Sequence, residues 1–208
     1  SLIKSKSNEI NKFVKLEFDT IKIYTKPIEL NLAIELQNPK ILIKENEIVL
    51  SNLDLYLSLK SFLTSDFILK RAEISFKQND IKDLSKISNL FLPMIINQKI
   101  NKIFKKGKLE GKFIIPFNAS GSIGKDYAFS GKISNALINL TKELSIRNLT
   151  TEIKHIKNFN NNEFKIKIND GSIYNLKLTD TVINLKKNKR KTIITSNLRT
   201  NGNISLSE

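Results

Sequence analysis

The chain has 208 residues, 40% of them hydrophobic but only 8% aromatic, with no Trp and a single Met, so its apolar surface is mainly Ile and Leu. The absence of Cys excludes disulfides, thiolate zinc sites and thiol nucleophiles. A formal net charge of +15 favours polyanions, either nucleic acid or an anionic membrane surface, although richness in Lys, Asn and Ile is also what A- and T-rich codons yield.

The length allows one or two domains. No stretch approaches the run of about 18 apolar residues that a spanning helix requires. Because the chain starts at Ser1 rather than Met, we expect its natural start, with any signal or anchor, to lie upstream.

In chain order, "FVKLEFDTIKIYT" (13–25) alternates apolar and polar residues as one strand, or as two joined near Asp19. Pro27 ends it. "IELNLAIEL" follows, with Ile28, Leu30, Leu32, Ile34 and Leu36 on one face and Glu29, Asn31 and Glu35 between them. "KILIK" comes after "QNP", and "IVLSNLDLYLSLK" then alternates Leu53, Leu55, Leu57 and Leu59 with polar neighbours. "SFLTSD" (61–66) reads as a short helical turn before "FILKRAEISFK", where Ile74 and Phe76 resume period two. The first 78 residues therefore read as an antiparallel β-meander.

Residues 79–107 carry the one strong helix signal. Asn79 or Asp80 can cap it, Ile81, Leu84 and Ile87 recur at helical spacing, and Asp83 suits the first turns. Pro93 predicts a kink. Ile96, Ile100, Ile103 and Phe104 continue the stripe, and Lys105, Lys106 and Gly107 suggest a cationic last turn with a glycine stop. From 108 to 208 the two-residue period returns in "LEGKFIIPF", "YAFSGKIS", "ALINLT", "LSIRNLTTEI", "FKIKI", "SIYNLKL" and "TVINLK", with glycines as punctuation. This second strand series is expected to continue the first. The fold class is mainly β, a long curved antiparallel sheet with one kinked helix near residues 80–106.

Catalytic chemistry is hard to assemble. His155 is the sole histidine and reads as a solvated strand residue, and no G-x-S-x-G elbow is present. "ASGSIGKD" (119–126) spaces Gly121, Gly124 and Lys125 too closely for a phosphate loop and reads as a hairpin turn. "NDG" (169–171) lacks the rest of a calcium loop. No cofactor or metal is expected, and the chain reads as non-enzymatic. The basic clusters Lys105, Lys106 and Lys108, and Lys186, Lys187, Lys189, Arg190 and Lys191, have no interleaved aromatics to stack bases, which argues against nucleic acid as a partner. They suit anionic headgroups instead.

A helix of about 25 residues is about 38 Å long and cannot cover about ten strands spaced nearly 5 Å apart. Either the strands close on themselves as a sandwich, or apolar sheet stays open as a trough. In a trough the floor candidates are Ile28, Leu30, Leu32, Ile34, Leu36, Leu53, Leu55, Leu57, Leu59, Ile74, Phe76, Phe164, Ile166 and Ile168. Acyl chains lying there would gain roughly 0.8 kcal/mol per buried CH2.

The order of elements in "IELQNPKILIKENEIVLSNLDLYLSLKSFLTSDFILKRAEISF" (34–76), followed by a helix and the segment from "KLEGKFIIPF" to "GSIYNLKLTDTVINL", resembles the AsmA-like family, in particular its long periplasmic YhdP and TamB type. The resemblance implies a groove-shaped, non-enzymatic bridge that carries phospholipid between inner and outer membranes. It also implies a periplasmic location, an inner-membrane anchor upstream, and other envelope proteins as partners. The alternatives are a closed sandwich acting as a scaffold or interaction module, and a basic nucleic-acid-binding domain.

Overall fold

The computed structural model describes residues 14–202, apart from 30, 44–45, 59–67, 89–100, 119, 121, 123, 125, 159–161 and 189–190. Strands dominate it. They are β1 (Val14–Glu17), β2 (Ile21–Lys26), β3 (Asn31–Leu36), β4 (Lys40–Ile43), β5 (Asn46–Ser58) and β6 (Leu69–Asp80), then helix α1 (Ile81–Ser88). After it come β7 (Phe104–Pro116), β8 (Tyr127–Asn139), β9 (Ser145–Lys157), β10 (Asn162–Ile173), β11 (Leu176–Asn188), β12 (Lys191–Asn197) and β13 (Thr200–Asn201).

These strands form one large antiparallel open sheet in the order β1-β4-β5-β6-β7-β8-β9-β10-β11-β12, with β2 paired to β3, β3 to β5 and β13 to β11. Such neighbour-to-neighbour order is what short hairpin connections produce. The strands before and after the helical segment thus share one sheet. Two compact units can be distinguished: residues 1–77, 111–128 and 157–159, and residues 78–110, 129–156 and 160–208.

In the first unit, β4 pairs with the early half of β5 (Ile41 with Ile48) and β3 with its late half (Leu32 with Leu57). The "FVKLEFDTIKIYT" segment is two strands, broken at 18–20 opposite the break between β3 and β4 at 37–39. The Asp19 amide donates to the Gln37 carbonyl and the Gln37 amide to the Thr20 carbonyl, both at 3.0 Å, so the backbone stays satisfied across the break. Pro27 and Ile28 lie in the turn before β3 rather than in a strand, and Ile28 is 99% exposed, which removes it from the apolar face.

The helix is shorter than the sequence suggests. Asp80 caps α1, its Oδ1 accepting the Lys82 amide at 2.8 Å. Residues 101–103 are helical, but Phe104, Lys105, Lys106 and Gly107 belong to β7, so the glycine stop expected there is not a helix end. Phe104 packs on the core of the second unit, which outweighs local helix propensity. The Pro93 kink and the "SFLTSD" turn fall outside the described residues.

The later strands also differ from the segments read in the sequence. "YAFSGKIS" and "ALINLT" together form most of β8. The hairpin turn lies at Tyr174 and Asn175, inside "SIYNLKL", so β10 extends to Ile173 and β11 joins "LKL" to "TVINLK". Several glycines read as punctuation sit inside strands: Gly107 and Gly111 in β7, Gly131 in β8 and Gly171 in β10.

A common device explains these differences. Strict alternation would bury every second residue, yet in each of these strands the inward-facing series contains one step of three. In the second unit the steps run from Phe104 to Gly107, Ile133 to Ala136, Ile146 to Leu149, Ile168 to Gly171 and Leu178 to Thr181. In the first unit they run from Leu36 to Pro39 and from Leu50 to Leu53, the latter at a register shift. A step of three resets the phase of the inward-facing series, as an inserted residue does in a β-bulge. Asn38, Asn135, Asn148 and Asp180 sit just before the second residue of their steps and have φ of 47°, 52°, 50° and 45°. Short amide and carboxylate side chains tolerate that left-handed region best among non-glycine residues. In β10 and β11 the two steps lie opposite each other and the register runs through them unshifted, with Ile168 opposite Thr181 and Gly171 opposite Leu178.

Gly107 shows how closely the steps pack. A Cβ there would lie 2.9 Å from the Ala136 Cβ and 3.0 Å from Ile81 Cδ1, and its φ is +143°. Gly107→Ala should therefore destabilise the fold by roughly 1–3 kcal/mol, measured by urea denaturation. Pairing it with Ala136→Gly should recover part of the loss; full additivity of the two costs would argue against this contact.

Candidate apolar binding face

The steps gather aliphatic side chains into one cluster in each unit. In the first, Phe18, Ile34, Leu36, Leu50, Leu53 and Leu57 are buried, with Leu32, Leu55, Ile74 and Phe76 among the partly buried residues packed on them. Cross-strand register accounts for this: Leu32, Ile34 and Leu36 face Leu57, Leu55 and Leu53, and Leu53 and Leu55 in turn face Ile74 and Ala72. In the second, Ile81, Ile133, Ala136, Ile146, Leu149, Ile168 and Leu178 are buried, with Ile138, Ile153, Ile166 and Ile173 among the partly buried.

In the second unit burial is greatest beside the phase steps, whereas in the first it is uneven along the same face, with Leu57 3% exposed beyond the half-buried Leu55. Leu36 and Ala136 are fully covered, while Leu55 and Ile74 in one unit and Ile153 and Ile166 in the other keep part of their surface open. Each unit thus has an aliphatic face only partly covered by its own atoms. Of the expected floor residues, Leu32, Ile34, Leu36, Leu53, Leu55, Leu57, Ile74 and Phe76 meet in the first unit, and Ile166 and Ile168 in the second. Phe164 is half-buried on β10, its ring 5.5 Å from that of His155 in an edge-on contact. Leu30 and Leu59 lie outside the described residues.

His155 is also half-buried rather than solvated, with Nε2 2.9 Å from Asn162 Oδ1. Sequence reasoning missed Thr151 and Thr181, two buried hydroxyls on the apolar face. Thr151 Oγ1 donates to the Lys167 carbonyl at 2.9 Å, and Thr181 Oγ1 accepts the Arg199 amide at 3.1 Å in the gap between β12 and β13. Both hydroxyls are therefore satisfied within the sheet.

The basic candidates separate. Lys105, Lys106 and Lys108 are exposed on β7, near the end where β8 meets β9. Lys186, Lys187 and Lys191 are on the β11–β12 hairpin, with Lys186 opposite Ile193 and Lys187 opposite Thr192. Lys189 and Arg190 are outside the described residues. "ASGSIGKD" connects β7 to β8, where Asn118 Oδ1 accepts the Ser122 amide at 2.9 Å and the Gly124 amide donates to the Pro116 carbonyl at 2.8 Å.

The opposite face of the first unit is polar but unexpectedly covered. Arg71 and Lys26 lie over the Tyr56 ring, at 4.1 Å and 4.6 Å from its centre. Arg71 pairs with Glu29 at 3.1 Å and Glu73 at 2.9 Å, and Lys112 reaches Glu73 at 2.5 Å. Glu35, Asp54 and Glu73 stand side by side on adjacent strands. Burial, reinforced by the charges of Glu35 and Glu73, raises the Asp54 pKa above the usual carboxylate range, against a hydrogen bond from Asn52 at 2.8 Å that lowers it.

No family model, curated protein or solved structure matches this chain. Among the described residues, no helix is long and apolar enough to cross a membrane.

The raised Asp54 pKa has a definite sign. The native state holds that proton to higher pH than the unfolded chain, so the contribution to stability is complete below the ordinary Asp value of 3.8 and is lost as pH rises through the raised value. Asp54→Asn should remove this loss and raise the melting temperature at neutral pH by about 2–4 °C. A lower melting temperature for the variant at neutral pH would show that the ionised carboxylate is needed.

Proposed function

We propose that the chain is a non-enzymatic, lipid-binding segment of an AsmA-like cell-envelope protein that shields phospholipid acyl chains against its aliphatic sheet face. The observation that carries this reading is the partial covering of that face in each unit, beside a phase step that keeps aliphatic residues pointing one way. Half-buried side chains such as Leu32, Leu55 and Ile74 offer hydrocarbon beside the paired backbone. Acyl chains laid on it would gain roughly 0.8 kcal/mol per CH2 removed from water, and they need no directional partner.

The antiparallel strand order further favours a trough over a closed sandwich, since the strands form one open sheet. In the resemblance to AsmA-like proteins, such a face belongs to a periplasmic bridge between two membranes, anchored upstream. On this reading transport is passive: lipid slides along a surface of similar depth, and no residue performs chemistry.

Native mass spectrometry of the gently purified chain tests this. Phospholipid adducts are expected on the wild type. Leu55→Asp, which puts a charge on the half-buried part of the face, should reduce loading by about tenfold or more while circular dichroism keeps its strand signature. A lipid-free wild type that also takes up no phospholipid from vesicles would overturn the reading.

A further inference from the structure

At one end of the second unit, β8 turns into β9 and β10 into β11, and the side chains there are used by neither the apolar face nor the core. The β8–β9 turn is tightly tied. The Leu140 amide donates to the Leu144 carbonyl at 2.9 Å, and Thr141 Oγ1 accepts the amides of Glu143 and Leu144 at 3.2 Å and 3.0 Å. This bracing leaves Leu140 52% exposed. Beside it lies a cavity of about 400 Å³ bounded by Lys102, Ile103, Lys105, Leu140, Thr141 and Lys142.

The neighbouring β10–β11 turn is more unusual. Tyr174 has a φ of 49°, which Asn or Gly adopts with less strain than a bulky aromatic, and it is 74% exposed. Its hydroxyl donates to the Glu143 carbonyl at 3.2 Å, which joins the two turns into one surface. An aromatic ring held outward in an unfavourable conformation suggests a role outside the fold. Nearby acids are already engaged: the Glu143 carboxylate accepts the Thr141 hydroxyl at 3.0 Å, and Asp170 lies 3.7 Å from Lys177. Among the described residues, Lys102, Lys105 and Lys142 form no ion pair.

We propose that this end of the second unit docks on an anionic lipid bilayer. The ammonium groups of Lys102, Lys105 and Lys142 meet headgroup phosphates, Ile103 and Leu140 enter the headgroup boundary, and Tyr174 rests at the depth that amphipathic rings prefer. Charge complementarity selects this partner: three cations with no ion pair among the described residues surround exposed aliphatic side chains, which is the composition of an interfacial anchor. The inference goes beyond acyl-chain binding, because a chain that held no lipid tail would still attach to vesicles by this end.

Vesicle flotation with the full chain tests it, using phosphatidylcholine vesicles with and without phosphatidylglycerol. The wild type should float only with the anionic lipid. The double variant Leu140→Asn with Tyr174→Asn, which changes no charge, should bind about tenfold more weakly. Tyr174→Asn alone should keep or raise the melting temperature by relieving the backbone strain, so lost binding is distinguished from lost fold. Lys22→Ser with Lys70→Ser, two exposed lysines of the first unit that remove as much charge as any pair at this end, should keep most of the binding. A wild type that ignores phosphatidylglycerol vesicles, a double variant that binds like wild type, or an equal loss in the Lys22 and Lys70 variant would each overturn the proposal.

Discussion

A strand turns its side chains over at every residue, so a step of three in the buried series changes which residues face inward at the bend. That constraint organises this protein. In the second unit the steps of neighbouring strands come together, Gly107 against Ala136 and Gly171 against Ile146 and Leu149, and the residues on either side of them form the buried core: Ile133 and Ala136, Ile146 and Leu149, Ile168 and Gly171. The first unit repeats the device at Leu36 to Pro39 and Leu50 to Leu53. Away from the bend some aliphatic side chains on the same face, such as Leu55, Ile153 and Ile166, are only half covered, and this connects the backbone geometry to the proposed lipid chemistry.

The two faces of the first unit then take different chemistry. One holds Leu, Ile and Phe in cross-strand register, while the other holds Glu29, Arg71, Glu73 and Lys112 in ion pairs around Tyr56. Three carboxylates in neighbouring strand positions are unfavourable by themselves. Arg71 and Lys112 offset that repulsion at Glu73, and Asp54 responds by holding its proton more tightly. A polar face kept this closely paired marks the aliphatic side as the one suited to hydrocarbon.

Much of the fold was legible from period two. The meander, the pairing of strands on both sides of the helical segment and the gathering of Leu32 to Leu36 with Leu53 to Leu57 follow from alternation and short turns. The phase steps were harder to see, because Asn135, Asn148 and Asp180 look like turn residues. At Asn135 the alternation therefore suggests two strands where β8 is one. Conversely, Tyr174 makes the real turn at β10–β11 but is a poor turn former, so "SIYNLKL" reads as a single strand. Gly107 misled in the same way: after two lysines it resembles a helix stop, whereas its missing Cβ makes room for Ala136. The end surface at Leu140 and Tyr174 could not be assembled from sequence, since it depends on two turns being neighbours.

The most direct test of the account is a photo-crosslinking scan along β10 in cells, with one reactive residue placed at a time. Ile166 and Ile173 lie an odd number of residues apart, so unbroken alternation would set them on opposite faces, yet both pack on the same cluster. Phospholipid adducts are expected at Phe164, Ile166 and Ile173 and not at Lys165, Asp170 or Ser172. Adducts at none of these positions, or at Ile166 together with Ser172 but not Ile173, would contradict the claim that a phase-stepped aliphatic face holds lipid.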